Sequence, residues 1–546
     1  MSDQYPPPPH DGPVPDPQQP AYQESGYQQS GQPEYLQQGD GTPLPPAPAQ
    51  GGGSARKAVL IGGAVVGAVA LAGAGAWAAL TLAGGGPQPT EALPDDTLAF
   101  VSIDLDPSAG QKIEAMKMLN KFPSFKEQMG LDPSDDIRKA IFDEAFKNGP
   151  CEGMSYDDDV APWIGDRAAV AAVNDADGKP APVVVLQVSD DAKAEKGLSA
   201  LSDCASESDP TAFVVANGWA TIAEDQATAQ TVVDDTAKGS LEDDATYRKW
   251  MGEIGDAGVV TMYAAPEAAQ AIADAMGDQG AELSALDFGS SLADFDGMAG
   301  TLRFNDGAVE FEAASTAVDG AASDNAAGAL AASLPADTAA AFSFSVPDNW
   351  LEQVADRFAD MQGDGSSGAD LLDQMSAETG LDLPDDFNTL TGDAIAVSVS
   401  SDLDIDALSN SSDPSSLPLG VKIKGDPEAI QGVLDKLTPQ LGPESDLLGT
   451  DSKGDFLVVG PNGDYRGSLL DGGGLGDSAS FKAAVPHGND STVVVYVNFD
   501  AGNGWLDQLA ESDPSIADDV KPLDSLGISG WVDGDTSHVI VKLTTD

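Results

Sequence analysis

Basic residues are scarce in this 546-residue chain: 26 Lys and Arg stand against 90 Asp and Glu, a formal net charge of -64. Phosphate backbones are held by clusters of Lys and Arg, so the body of the protein is excluded as a nucleic-acid binder. The same imbalance disfavours docking onto an anionic membrane surface. A strongly acidic exterior keeps a chain soluble through self-repulsion; cation binding or attraction of a basic partner is the narrower reading. Histidine is scarcer still, at His10, His487 and His538. With two cysteines and three distant histidines, zinc catalysis has no ligand set. Neither a G-x-S-x-G elbow nor a Walker-type phosphate loop is present. Carboxylates are so many that no glycosidase-like pair can be singled out. No catalytic, cofactor or metal-binding residue is assigned.

Aromatics make up only 6% of the chain, and there is only one long uncharged hydrophobic run. That run is Ala58–Ala83, "AVLIGGAVVGAVALAGAGAWAALTLA", preceded directly by Arg56 and Lys57. About 20 residues cross a hydrocarbon core, so 58–83 is expected to be one transmembrane helix. No Lys or Arg follows it until Lys112. The positive-inside rule therefore places residues 1–57 in the cytoplasm and the rest outside, in a single-pass protein of the cell membrane. A cleaved signal peptide fits poorly, because it would begin with a short basic region. Gly63 and Gly67 make a small-xxx-small pair, a weak signal for helix association. Residues 1–57 are rich in Pro, Gln and Gly and carry Tyr5, Tyr22, Tyr27 and Tyr35. Such a composition cannot offset its ordering entropy and is expected to be disordered. It reads as a solvated spacer or as a docking tail for a cytoplasmic partner that reads Pro or Tyr.

After a linker, 84–92, the chain writes one phrase twice. "LPDDTLAFVSIDLDPSAGQKI" begins at Leu93 and "LPADTAAAFSFSVPDNWLEQV" at Leu334. An offset of 241 aligns Leu93, Pro94, Asp96, Thr97, Ala99 and Ser102 with identical residues. Val101, Ile103 and Leu105 alternate as a half-buried strand does, and Phe342, Phe344 and Val346 keep that register. Ser108 with Gln111, and Asn349 with Glu352, have capping-box spacing, and Ile113 and Val354 are expected to face the core. Asp96 and Asp337 sit in turns, where short polar side chains satisfy backbone donors.

Further echoes follow in the same order. Gly130–Ile137 resembles Gly380–Phe387, and the stretch from Trp163 resembles that from Leu390. Pro180–Leu201 resembles the strand, turn and helix beginning at Leu417, and the stretch from Leu241 resembles that from Leu475. The fold class expected is α+β: two tandem duplicated units with antiparallel sheets, 93–330 and 331–546, each with helices laid on one face. The βαβ alternation of a doubly wound sheet is missing.

Cys151 and Cys204 both lie outside by this topology, which favours a disulfide over a catalytic thiol. "NDADGK" around Asp175 opens like a calcium loop but lacks the closing Glu, so it reads as a hairpin turn. Asp402, Asp404 and Asp406 read as a solvated strand face. "GGGLG" from Gly472 reads as a loop rather than a dinucleotide site.

From Pro94 to Lys112 the sequence resembles domain of unknown function 3352, a family of uncharacterised single-pass membrane proteins from high-GC Gram-positive bacteria. The resemblance implies a membrane-anchored protein and brings no activity or catalytic residue with it. Three readings follow. The first is a non-catalytic binding or structural module of the cell envelope with an unknown ligand or protein partner. The second is a carrier of lipid or another hydrophobic solute, which needs a continuous apolar cavity lined by both halves. The third is a carboxylate-dependent envelope hydrolase.

Overall fold

The computed structural model describes residues 86–104, 109–122, 136–148, 151, 153–204, 212–271, 294–317, 325–347, 349–362, 367–403, 414–441, 449–502 and 517–546. The expected tail and span, together with Leu105, Ser108, Asp404 and Asp406, lie outside these residues. Among the described residues no helix is long and apolar enough to cross a membrane.

The first copy contains β1 (Ala99–Asp104), α1 (Ala109–Leu119), α2 (Ile137–Asn148), β2 (Ile164–Asn174), β3 (Pro180–Val188) and α3 (Asp191–Cys204). It continues through β4 (Ala212–Ala216), β5 (Trp219–Ala223), α4 (Gln226–Thr236), α5 (Ala245–Glu253), β6 (Val260–Ala264), β7 (Met298–Asn305) and β8 (Ala308–Thr316). The second copy contains α6 (Ala326–Ala332), β9 (Thr338–Phe344), α7 (Trp350–Gln362), α8 (Gly368–Thr379), α9 (Asp385–Thr391), β10 (Ala394–Ser400) and β11 (Leu419–Lys424). Then come α10 (Pro427–Leu441), β12 (Thr450–Lys453), β13 (Phe456–Val459), α11 (Gly463–Asp471), α12 (Ala479–Ala484), β14 (Val493–Asn498), α13 (Ala517–Val520), β15 (Leu523–Asp533) and β16 (Thr536–Thr545).

The sixteen strands among the described residues join one antiparallel sheet. Its order is β4-β5-β3-β2-β1-β6-β7-β8, then β16-β15-β14-β9-β10-β11-β13-β12. Adding eight to each strand number of the first half reproduces the second half in reverse, so the duplication extends to the strand topology. The two copies are therefore halves of one sheet, sewn together where β8 meets β16.

That seam is two-fold symmetric in register. Hairpin β7–β8 turns at Asn305↔Ala308 and hairpin β15–β16 at Asp533↔Thr536, so Ala308 and Thr536 are counterparts. Across the seam Ala308 faces Thr544 and Thr316 faces Thr536, with Glu312 against Ile540 at the centre. Each copy thus offers the same strand edge to the other, the self-complementary arrangement of a two-fold dimer.

A buried ion network fastens the seam on one side. Arg303 Nε donates to Glu310 Oε1 at 2.8 Å, and its guanidinium also pairs with Glu312. Lys542, from the second copy, reaches Glu310 Oε2 at 3.1 Å. Burial alone would push the Glu310 carboxyl up, but Arg303 and Lys542 outweigh it and hold its pKa below the ordinary value.

The repeated phrase is a fastening at the start of each copy. Thr97 Oγ1 donates to the Pro94 carbonyl at 2.6 Å, and Thr338 Oγ1 to that of Pro335 at 2.8 Å. Leu241 N donates to Leu93 O, and Leu475 N to Leu334 O. Among the described residues the aspartates accept from side chains rather than from the backbone donors the sequence suggested. Asp96 accepts from Asn174 at the end of β2, and Asp337 from Ser400 at the end of β10. In the second copy Gly474, at φ 113°, lets the loop approach Ala336, where an added Cβ would lie 2.9 Å from the Ala336 Cβ.

Helices cover both faces of the sheet, not one. On the first face α4 and α5 pack over Phe100, Val183 and Val185, and α6, α11 and α12 over Ala341, Ala396 and Val494. On the second face α1 packs with Val101 and Val260, α3 with Ala220, and α10 with Ile423 and Val459. The physical reason is that the strands are apolar on both sides, as in "VVVYV" of β14, and each side needs a cover. Two local expectations also fail. Ile113 is 47% exposed, because α1 turns Ala115 and Met118 to the core instead. Gln111 brackets the Phe304 backbone, donating to its carbonyl and accepting from its N–H, both at 2.7 Å. Asn349 is left-handed at φ 61° rather than extended as an N-cap would be, and Glu352 Oε2 is buried without a partner among the described residues.

Cys151 and Cys204 form the expected disulfide, closing a sequence separation of 53 residues. It ties the end of α3 to the chain that follows α2.

Two stability measurements follow. Replacing both cysteines by Ala should lower unfolding free energy by about 4 kcal/mol, the loop-closure value, read by urea denaturation. Arg303→Met takes the buried cation from Glu312 and leaves Glu310 with Lys542 alone, and should cost about 3–5 kcal/mol at pH 7. Because the Glu310 pKa is depressed in the folded state, this stabilisation is present above the unfolded carboxylate range and is lost as pH falls through the folded pKa. The variant should therefore converge on the wild type in acid.

Candidate functional site

The residues that stand out are apolar ones left open on the second face. Strand register puts one row of side chains across the whole sheet on that face. From β11 it runs Val421, Val397, Phe342, Val495, Ile528, Val541 and Phe311, crossing the seam between Val541 and Phe311. It goes on to Leu302, Val260 and Ile103 in the first copy. The next row on one side is just as apolar: Leu419, Val399, Ala340, Val497, Leu526, Leu543 and Val309. Val459 and Val260, beyond the two ends of this stretch, are buried. Between them Phe342 and Val397 are exposed and the rest half-buried. With strands about 4.8 Å apart, seven strands make a stripe of about 29 Å.

The first copy supplies an internal control. Offset 241 pairs Val101 with Phe342. Val101 is 9% exposed, sealed in a cluster with Ala115 and Met118 of α1. Phe342 is 43% exposed. Its ring stacks on Phe344 with centroids 5.0 Å apart.

Helix α7, the counterpart of α1, turns its apolar side elsewhere. Leu351 and Ala355 pack with Leu372 of α8 and with Leu383 and Phe387 near α9. The Trp350 ring stacks on Phe387 at 5.6 Å. Helix α7 therefore has two apolar stripes one residue apart. Leu351, Ala355 and Ala359 are buried, while Trp350 and Phe358 are exposed, Phe358 to 55%. Met375 of α8 is exposed as well. Sequence reading missed this set. Its signal was a bulky Phe at the position of Val101, and a helix, "WLEQVADRFADM", with more apolar residues than one stripe needs.

The residues weighed for chemistry resolve into structural roles. Asp175 Oδ1 accepts from the N–H groups of Asp177 and Lys179 in the tight β2–β3 turn, so "NDADGK" is a hairpin. Gly472 to Gly474 form the loop that docks on Ser333 and Leu334. Asp402 is exposed beyond β10. Asp500, Asp524 and Asp546 bring carboxylate oxygens within 4.8 Å of one another, but Thr544 Oγ1 already donates to Asp524. Every carboxyl pKa shift resolved among the described residues is downward; at Asp386, for example, Lys436 and the Asp382 N–H favour the charged form.

Two features escaped the sequence reading. His487 and His538 sandwich Trp531, with ring centroids at 4.0 and 4.9 Å. Lys422 is 3% exposed on β11, where register with Val397 places it at the position of Val185 in the first copy. Its ammonium donates to Ser333 Oγ at 2.9 Å, at the end of α6. Burial and then the charge of Lys453 hold its pKa below the ordinary value.

A family model described as "Protein of unknown function (DUF3352)" matches residues 57–209 and 195–422. No curated protein matches the chain. A solved structure titled "Structure of crystal form III of TP0453" aligns with 43% of this chain and 81% of its own, at 10% identity and a TM-score of 0.21.

Lys422→Met tests the buried ammonium. The Ser333 carbonyl keeps its bond from Gly473 N, so nothing is orphaned by the change. The depressed folded pKa means the wild type carries the full cost of a buried charge at neutral pH. That cost fades as pH rises from the folded pKa towards the unfolded lysine value. The variant should show a higher urea midpoint than the wild type at pH 7, with the advantage shrinking near pH 10.

Proposed function

The chain belongs to the DUF3352 family of proteins of unknown function, and on that premise we propose that it is a membrane-anchored, extracytoplasmic module that binds a hydrophobic solute without catalysis. The anchor in this reading is Ala58–Ala83, with residues 1–57 in the cytoplasm, free to meet a partner there. The observation that carries the reading is the contrast between Val101, sealed at 9% exposure, and its counterpart Phe342, open at 43%. A fold does not leave an apolar residue sealed in one copy and bare in the other for stability's sake, and exposed apolar patches mark binding surfaces. The first copy is the structural half; the second presents the surface. The continuous apolar rows, built by Val, Leu and Phe from both halves, support the binding of a hydrophobic solute on a surface rather than in the enclosed cavity expected of a carrier.

The hydrolase reading has less support. A general acid must hold its proton near neutral pH, which needs an upward carboxyl shift. The resolved shifts among the described residues run the other way, as at Glu114 and Asp136.

Native mass spectrometry of the full-length protein, purified from membranes, checks the proposal. The wild type should retain a hydrophobic small molecule. The double variant Phe342→Gln, Val397→Gln should lose it while keeping its thermal midpoint, since both positions are exposed. No co-purified molecule in the wild type, or equal retention in the variant, would sink the reading.

A further inference from the structure

We infer that the occupant of the open face is the acyl tail of a membrane lipid, lying across the strands at Phe342 and Val397. The inference rests on the hydrophobic-solute reading above and names the ligand class. Two observations favour a hydrocarbon tail over a peptide or a second copy of the chain. Between Val421 and Phe311 the row offers no side-chain donor or acceptor, so it has nothing to orient a polar ligand. Sites for polar ligands carry a few placed polar groups, and this stripe carries none. A second copy would bring its own -64 charge against the first, a repulsion that opposes self-association.

The first copy shows what chemistry closes this face when it is closed: Ala115 and Met118, apolar side chains from one helix. In the second copy α7 has buried one stripe against α8 and keeps Trp350 and Phe358 open. A lipid tail supplies the missing layer. The stripe of about 29 Å is roughly twice the ~15 Å that one tail spans in half of a ~30 Å hydrocarbon core, so a whole tail fits along it. In that reading the bilayer that holds Ala58–Ala83 supplies the lipid.

Photocrosslinking with the full-length chain in nanodiscs tests this. The nanodisc lipid is a phospholipid carrying a diazirine near the middle of one tail. After irradiation, labelled peptides are read by mass spectrometry, with labelling of 58–83 as the internal standard for the probe. The expected result is labelling of β9 and β10 in addition to the span, with β1 and α1 unlabelled. In the variant Phe342→Gln, Val397→Gln, labelling of the second copy should fall about tenfold relative to the span, as loss of two apolar contacts implies. Labelling confined to the span overturns the lipid-tail assignment. If a co-purified solute is nonetheless found in the wild type, the broader reading stands and only its ligand class falls. Equal labelling of β1 and β9 also overturns the inference, because it would come from general contact with the bilayer.

Discussion

Everything in this molecule depends on one backbone ladder, the pairing of β8 with β16. An eight-stranded antiparallel sheet has two open edges, and an open edge invites the wrong neighbour. Here each copy closes one edge with the equivalent edge of the other, from Ala308↔Thr544 to Thr316↔Thr536. The ladder also aligns the apolar rows of the two halves, so that Val541 continues into Phe311. Without that register there would be two short apolar surfaces rather than one long one. The edges left at the far ends differ in character. β12 is "TDSK", whose charges discourage pairing, while β4 is "AFVVA" and lies between α3 and α4.

Much of the architecture was legible in the residues. The repeated "LP-x-D-T" phrase marked the start of each copy, and its fastening to Leu241 and Leu475 proved equally repeated. Cys151 and Cys204 could be paired from their number and expected compartment. The layers were harder. Helices on one face were expected, yet "PVVVLQV" and "STVVVYV" are unbroken apolar runs, and such runs announce strands covered on both sides. Strand order across the seam is a long-range property that no local pattern carries. Ile113 shows the limit of copying by alignment, since a matched helix position kept its letter class and lost its burial.

The two halves have diverged most where symmetry would set the same chemistry twice. Counting from the hairpin turns, Arg303 and Glu310 correspond to Trp531 and His538. One side of the two-fold is therefore an ion network and the other a stack of rings. Val185 became Lys422, and Val101 became Phe342. The copies agree in backbone bonding and differ in what their side chains do, which is how a scaffold and a site separate within a single fold.

The seam has a further consequence. Were the copies separate chains, the sheet would exist only above the concentration at which they associate, and dilution would dissolve it. Joined in one chain, the partner edge is always present at an effective concentration on the order of millimolar, set by the connecting segment alone. The long apolar face is thus independent of the concentration of the chain. One chain, alone, carries the whole surface.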